Sequence, residues 1–246
     1  MFIDAHCHLD SCKNPSDCVK RALDKNVKII VTNGSNLEKD VMSLELAKTF
    51  PSVKAALGLY PIEALGMSDE EIEHILKFIK TNANKIVAIG EVGLDYKEDT
   101  INQERQRKIF SKIIDLALEL DKPLIIHSRK AEADVIKMLE EAGVKKVQMH
   151  CFCGNMKMVQ KIADNGWFIS IPTNVKHMLH FQEIVKRIPI ENLLCETDSP
   201  YLHPDKENNN EPANVITSYE KIAEIKGLTL NEVEKFIEQN YLTLFG

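Results

Sequence analysis

The chain opens on an apolar stretch that ends in two histidines one residue apart, Phe2-Ile3-Asp4-Ala5-His6-Cys7-His8-Leu9-Asp10. Because side chains alternate between the two faces of a strand, His6 and His8 are predicted to share one face. Two neutral imidazoles on one face can bind a divalent metal ion. A surface strand or the remnant of a purification tag could show the same two histidines. A metal site is therefore indicated only if the rest of the chain supplies further strands and ligands.

Composition limits the class of protein. The 246 residues are 44% hydrophobic and 28% charged, which fits one large globular domain or two small ones. No stretch has the order of a signal peptide or the ~20 apolar residues of a membrane span, so we expect a soluble, cytoplasmic protein with no membrane attachment. Six cysteines without an export signal are expected to be reduced thiols. The net charge of −6 argues against broad electrostatic attachment to nucleic acid but does not exclude a phosphate-bearing substrate.

Seven more apolar runs follow the first, and a helical pattern separates each run from the next. The predicted strands after the first are residues 27–31, 53–57, 86–90, 124–126, 147–149, 167–171 and 193–195. Eight strand and helix units in about 250 residues predict an α/β protein, a (β/α)8 TIM barrel, with one hydrolase domain over residues 1–246. An open doubly wound sheet is the alternative, but its usual glycine-rich phosphate loop after the first strand is absent.

Residues that can bind metal stand at the predicted ends of five strands, where the active sites of such barrels are assembled. His6 and His8 end the first strand, and the other candidates are Glu91, His127, His150 and Asp198, which follow strands four, five, six and eight. Taken singly, each has another explanation, such as a core histidine, a capping glutamate or a turn aspartate. Six candidates at five strand ends together favour a metal site.

Four imidazoles and two carboxylates exceed what one tetrahedral catalytic metal needs, so two divalent ions ~3.5–4 Å apart are predicted. We expect Glu91 to bridge the two ions, with His6, His8 and Asp198 on one of them and His127 and His150 on the other. The nitrogen-rich set suits zinc, manganese, iron or cobalt, whereas magnesium usually takes more oxygen ligands. A water between the ions would attack the substrate while Asp198 orients it or accepts its proton, so the predicted reaction is hydrolysis.

Six ordered motifs surround these residues and span nearly the whole chain: Asp4-Ala5-His6-Cys7-His8-Leu9-Asp10, Ala88-Ile89-Gly90-Glu91-Val92-Gly93-Leu94-Asp95-Tyr96, Ile125-Ile126-His127-Ser128-Arg129, His150-Cys151-Phe152-Cys153-Gly154, Leu194-Cys195-Glu196-Thr197-Asp198-Ser199-Pro200-Tyr201 and Asn210-Glu211-Pro212. The set resembles the TatD-type metal-dependent deoxyribonucleases of the amidohydrolase-like barrel superfamily. That resemblance implies a TIM barrel, a nuclease that often removes nucleotides from an end of DNA, and the same six ligands. It also implies magnesium dependence, so the ion stays open among Mg, Mn, Zn and Co.

Two further residues gain a predicted role from the resemblance. Arg129 resembles a phosphate-facing position of the family and is predicted to act in catalysis with Glu91 and Asp198, the alternative being a surface salt bridge. Asp95 is expected to hold a ligand or bind substrate, the alternative being a simple turn aspartate.

One segment departs from the family pattern. Many relatives have Gly-Val-His-Pro-His where this chain has Gly58-Leu59-Tyr60-Pro61-Ile62, so Tyr60 and Ile62 replace two histidines that lie beside the substrate phosphate in the family. The departure changes the residues expected beside the substrate phosphate and leaves the candidate ligands intact. The hydroxyl of Tyr60 can still donate a hydrogen bond.

The remaining questions concern the cysteines and the substrate. Cys7, Cys151 and Cys153 stand next to candidate ligands, but core packing is expected for each, because free cysteine is among the most buried residue types.

DNA is the predicted substrate and a monomer the expected state. Hydrolysis of a C–N bond or a small phosphoester is an alternative, although many amidohydrolases bridge their metals with a carboxylated lysine and this chain has Glu91 there. A noncatalytic metal-binding interaction protein is the third possibility.

Overall fold

Eight parallel strands form one sheet in which each strand pairs with the next one along the chain. The computed structural model describes residues 1–206 and 209–246. The strands are β1 (Phe2–Cys7), β2 (Val27–Asn33), β3 (Val53–Leu57), β4 (Ile86–Asp95), β5 (Leu124–Arg129), β6 (Val147–Met149), β7 (Phe168–Pro172) and β8 (Leu193–Glu196). The predicted (β/α)8 barrel is confirmed.

Backbone hydrogen bonds bring the last strand back to the first. The N–H of Asp198 donates to the carbonyl of His6 at 3.0 Å, and the N–H of His8 donates to the carbonyl of Ser199 at 2.7 Å. These contacts lie at the carboxyl ends of β1 and β8. The closure therefore places two predicted site segments side by side.

Helices cover the outside of the sheet. They are α1 (Pro15–Asp24), α2 (Leu37–Thr49), α3 (Pro61–Leu65), α4 (Asp69–Thr81), α5 (Gln103–Leu120), α6 (Glu132–Glu141), α7 (Met156–Asp164), α8 (Leu179–Arg187), α9 (Ile216–Lys226) and α10 (Leu230–Phe245). Ser68 and Glu71 form a capping box that starts α4, and Thr229 and Glu232 form one that starts α10. None of these helices, over the part of the chain that the structure describes, has both the length and the apolar character that a bilayer crossing requires.

The strands are apolar on both faces because both faces are covered. Every residue of β1, β7 and β8 is buried, as expected of a parallel sheet with helices outside and packed side chains within the barrel. Polar residues that occur in such strands are therefore conspicuous. In β1 they are Asp4 and His6, and both are fully buried.

The fourth strand is longer than predicted. It continues through Asp95, five residues past Gly90, because Val92 pairs with Ile126 and the ladder runs on into β5. The prediction ended the strand at a glycine, which often marks a loop. Glu91 consequently lies inside β4 and does not follow it. The short helix α3, directly after Tyr60, was also missed.

The cysteines fall into different environments. Cys7 is buried, with its Sγ 3.5 Å from the carbonyl of Val31, and so packs as predicted. Cys151 is half-buried against the core and also lines a cavity of about 350 Å³. The expectation of core packing is wrong for Cys153, which is exposed in the loop after β6. All six cysteines are free.

Candidate metal centre

Glu91 lies at the centre of four histidines at the carboxyl end of the barrel. Its Oε1 is 2.9 Å from Nδ1 of His127 and 3.2 Å from Nε2 of His150. Its Oε2 is 3.1 Å from Nε2 of His8 and 3.8 Å from Nε2 of His6. Each carboxylate oxygen therefore faces a different pair of imidazoles, which is the arrangement that a bridging carboxylate needs.

Asp198 faces only one of the two histidine pairs. Its Oδ1 is 3.4 Å from Nε2 of His6 and 3.7 Å from Nε2 of His8. Its backbone is left-handed, with φ of 53°, in the turn that follows β8. Two of the groups whose ligand atoms lie within 4.8 Å of one another are His6, His8 and Asp198, and Glu91, His127 and His150.

The imidazole of His6 gives the clearest sign that this cluster is built for a cation. The residue is fully buried, and neither ring nitrogen has a hydrogen-bond partner among the residues described. Its ring stacks on that of His150, with centroids 3.9 Å apart. A buried polar atom without a partner is costly, and a metal ion would use such a nitrogen. The mixed nitrogen and carboxylate donors fit a pair of divalent transition-metal ions.

The charges in the cluster change the protonation of its members. Burial raises the pKa of Glu91, but His150, His127 and His8 outweigh it and hold that pKa well below its usual range. Burial lowers the pKa of His8, yet its hydrogen bond to Glu91 and the charges of Glu91 and Asp198 raise it to about 9. In the metal-free protein at neutral pH, His8 therefore carries a proton that a metal ion must displace.

Two of the histidines have a hydrogen-bonding group at the ring nitrogen that faces away from Glu91. Nδ1 of His8 lies 3.1 Å from the carbonyl of Asn33, and Nε2 of His127 lies 3.0 Å from Oδ2 of Asp95. Such contacts fix the tautomer and the orientation of a metal-binding histidine. The geometry agrees with the predicted supporting role of Asp95.

Glu196 supports His150 and was missed as a site residue. Its Oε1 is 3.4 Å from Nδ1 of His150 and accepts the N–H of Cys151 at 2.9 Å, while Oε2 accepts the hydroxyl of Ser170 at 2.5 Å. Glu196 also groups with His6 and His150 as a possible ligand set. Because both of its oxygens already accept hydrogen bonds, we interpret it as a support for His150. A fully buried acid in an otherwise apolar strand was the available signal.

Asp4 fixes the segment that carries Asp198. Its carboxylate accepts the N–H of Thr197 at 2.9 Å and the hydroxyl of Thr197 at 2.6 Å, and it is fully buried. The first strand thereby positions the turn after the last strand. Asp4 lies in the first sequence motif, but its contact with Thr197 is not predictable from that motif.

Arg129 lies at the mouth of the site and is half exposed. It lines a cavity of about 390 Å³ together with His8, Glu91, His127 and Asp198. Its Nη1 donates to Oε1 of Glu98 at 2.8 Å. Arg129 therefore lines the site cavity, as predicted, and also forms the surface salt bridge that was the alternative prediction.

The comparisons with known proteins agree with this geometry. A family model described as "TatD related DNase" matches residues 3–246. The chain belongs to the TatD family. It is 36% identical over 247 residues to an uncharacterized metal-dependent hydrolase of Methanocaldococcus jannaschii, covering 99% of this chain and 96% of that protein. It is 32% identical over 258 residues to the deoxyribonuclease TATDN3 of Homo sapiens, covering 99% and 94%.

Solved structures give the same family. The crystal structure of YjjV, a TatD homologue from Escherichia coli, is similar with a TM-score of 0.92 and 26% identity, and the match covers 99% of this chain and 97% of that one. This TatD-family chain is accordingly a metal-dependent hydrolase, and it carries clusters of candidate metal-binding residues.

Tyr60, which differs from the family pattern described above, lies beside the candidate metal centre of this TatD-family chain. Its hydroxyl donates to Oδ2 of Asp95 at 2.9 Å and lies 3.5 Å from Nε2 of His127. Burial alone would raise the pKa of Asp95, but the hydrogen bonds from His127, Glu98 and Tyr60 outweigh it and lower the pKa to about 2. Tyr60 thus contacts the group behind a candidate ligand, while Ile62 is half-buried in α3.

Replacing Tyr60 by phenylalanine should have a small effect. Asp95 keeps its hydrogen bonds from His127 and from the N–H groups of Lys97 and Glu98. We expect Tyr60→Phe to lower the free energy of unfolding by about 1 kcal/mol and kcat by less than about tenfold. Urea unfolding of the metal-free protein and steady-state hydrolysis measure the two effects. A fall in kcat of more than about 100-fold would show that the hydroxyl acts on the substrate itself.

Metal binding should release protons at neutral pH. His8 has a pKa of about 9 without metal, and the pKa of His127 is also raised, since its hydrogen bonds to Asp95 and Glu91 outweigh its burial. A metal ion binds only the neutral imidazole. We therefore expect affinity to rise as the pH increases from 7 through 9, the range in which His8 loses its proton. Calorimetry at pH 7 in buffers of different ionisation enthalpy should detect proton release, and its absence would contradict metal binding at these nitrogens.

Proposed function

We propose that this TatD-family hydrolase is a deoxyribonuclease that cleaves phosphodiester bonds, removing nucleotides from an end, with two divalent ions bound around Glu91. The observation that carries the proposal is the position of Glu91, whose two oxygens face separate histidine pairs at the base of an open polar cavity. All six candidate ligands belong to one chain, as a monomeric enzyme of one domain requires. The human relative named as a deoxyribonuclease supports the choice of DNA.

Asp198 and Arg129 have separate roles in the proposed hydrolysis. Bound divalent ions supply positive charge that polarises the phosphodiester and activates water. Asp198 is partly open to the cavity, with 14% of its side chain exposed, so its carboxylate can orient the attacking water and accept its proton. Arg129 offers a planar guanidinium to a phosphate oxygen once it leaves Glu98.

The bridging position separates this proposal from the amidohydrolase alternative. Glu91, with one carboxylate oxygen toward each histidine pair, is placed to bridge two metal ions. In many amidohydrolases a carboxylated lysine bridges the metals instead. In this structure the position between the two pairs is occupied by the carboxylate of Glu91. The geometry therefore favours the nuclease over hydrolysis of a C–N bond.

The test is cleavage of end-labelled single-stranded DNA by protein loaded with magnesium, manganese, cobalt or zinc. We expect shortened products with at least one ion and none with the double variant His6→Ala/Glu91→Ala. A labelled strand blocked at one end and then at the other gives the direction of digestion. No cleavage with any of the four ions, or equal cleavage by the double variant, would contradict the proposal.

A further inference from the structure

Asp40 is a buried acid on the inward side of α2, where a surface helix ordinarily places apolar residues. It lies in the first turn and is fully buried, as is Ser43, whereas Val41 and Met42 are 44% and 40% exposed. Among the residues described, its Oδ2 has no hydrogen-bond partner. Burying an acid with one oxygen unpaired costs stability. Such a residue indicates a role that an apolar side chain could not fill.

The other oxygen of Asp40 contacts two glycines, one after each of two neighbouring strands. Oδ1 accepts the N–H of Gly58, which follows β3, at 3.0 Å. A Cβ added to Gly34, which follows β2, would lie only 1.9 Å from the same oxygen. The carboxyl group of Asp40 therefore occupies the space that a side chain at Gly34 would need. One side chain thus joins the loops after β2 and β3.

Both glycines also contact the backbone of Glu91. The carbonyl of Gly34 accepts the N–H of Glu91 at 3.0 Å. A Cβ added to Gly58 would lie 2.5 Å from the carbonyl oxygen of Glu91 and 2.6 Å from its nitrogen. The two residues that Asp40 contacts therefore hold the peptide groups on both sides of Glu91. Each carboxylate oxygen of Glu91 faces its own histidine pair, so a shift of this backbone would misplace both oxygens.

We propose that Asp40 is a positioning residue for Glu91 and acts through Gly34 and Gly58. It holds the loops after β2 and β3 so that the backbone of Glu91 presents one carboxylate oxygen to each histidine pair. Removal of a group that orients a metal ligand typically lowers metal affinity or activity about ten- to hundredfold. The inference rests on the proposed bridging role of Glu91 and adds the residue that maintains its geometry.

Substitutions of Asp40 separate positioning from packing. Burial raises the pKa of Asp40 well above its usual range and outweighs the hydrogen bond from Gly58, so the neutral acid is favoured and asparagine is a close mimic. We expect Asp40→Ala to lower metal affinity, measured by competition with a chelator, about ten- to hundredfold. Asp40→Asn keeps an oxygen for the N–H of Gly58 and should stay within about threefold of the wild type.

Amide hydrogen exchange gives a readout that needs neither metal nor substrate. In the metal-free protein, Asp40→Ala should speed exchange of the Glu91 N–H about tenfold more than it speeds the slowest amides, which report global unfolding. Val159→Ala is the control, because it removes fully buried apolar atoms from α7, which packs against α6, α8 and β7. It should lower global stability while leaving metal affinity and the relative exchange of Glu91 unchanged.

Gly34→Ala tests the same contact independently of whether Asp40→Ala folds. The added Cβ would displace the carboxyl group of Asp40, so metal affinity should fall by a factor comparable to that of Asp40→Ala. Adding Asp40→Ala to Gly34→Ala should cause a smaller further loss than Asp40→Ala causes alone, because the contact is already broken. Additive losses would contradict the inference.

The outcomes separate this inference from the nuclease function. Wild-type metal affinity and wild-type exchange of Glu91 in Asp40→Ala, or equal losses in Asp40→Ala and Asp40→Asn, would contradict positioning by Asp40. Both quantities are measured without a substrate, so the expected losses support the inference even if the wild type cleaves no DNA. If the wild type binds none of the four ions, the inference fails together with the metal centre.

Discussion

Glu91→Gln is expected to abolish binding of both metal ions and to lower hydrolysis by about 10³-fold or more, because metal ions contribute several kcal/mol of transition-state stabilisation. Glutamine keeps the size of the side chain but offers one neutral acceptor in place of two charged oxygens. Each of those oxygens faces its own pair of histidines, so one substitution affects both ligand groups.

The measurement combines metal content per chain, by elemental analysis after reconstitution, with the rate of DNA cleavage. Glu119→Gln is the matched control, since Glu119 is exposed on α5 and paired with Lys80 far from the site. The control should keep full metal content and activity. A Glu91→Gln protein with a full complement of metal and wild-type activity would show that the carboxylate does not bridge.

Glu196→Gln is expected to weaken metal affinity at the His127 and His150 pair by about ten- to hundredfold, which is typical when a group behind a ligand is replaced. The glutamine oxygen can still accept the N–H of Cys151. It carries no charge opposite Nδ1 of His150, so that imidazole becomes a less basic ligand. The effect should appear first in metal affinity, with loss of activity following at low metal concentration.

Competition with a chelator measures the affinity of the Glu196→Gln protein, and added metal should restore much of its activity. Glu191→Gln is the matched control, because Glu191 is exposed just before β8, at the other end of the same strand. Unchanged affinity in Glu196→Gln would show that the 3.4 Å contact with His150 has no part in metal binding.

Most of the barrel could be predicted because its strands and helices follow simple patterns. The strands Val53–Leu57 and Val147–Met149 were predicted with their observed bounds, and helices follow them as predicted. The apolar runs are distinct because both faces of each strand are buried. The extension of β4 could not be read in the same way, since Gly90, where the predicted strand ends, is required by close packing: an added Cβ would lie 2.6 Å from Cβ of Ile125. A glycine needed for close approach looks the same in sequence as one that ends a strand.

The candidate ligands could be placed from their positions at strand ends, and the structure brings all six together. The groups behind them were harder to find, because a buried acid such as Glu196 or Asp4 gains its role only from partners distant in the chain. Asp4 meets Thr197 across 193 residues. Contacts of that kind depend on barrel closure, which local sequence patterns do not encode.

The most direct test of the two-ion centre is a crystal structure of the manganese-loaded protein with anomalous difference maps. We predict two peaks ~3.5–4 Å apart, one on each side of the carboxylate of Glu91. One peak should be bound by His6, His8 and Asp198, and the other by His127 and His150. A single peak, or peaks away from Glu91, would contradict the account.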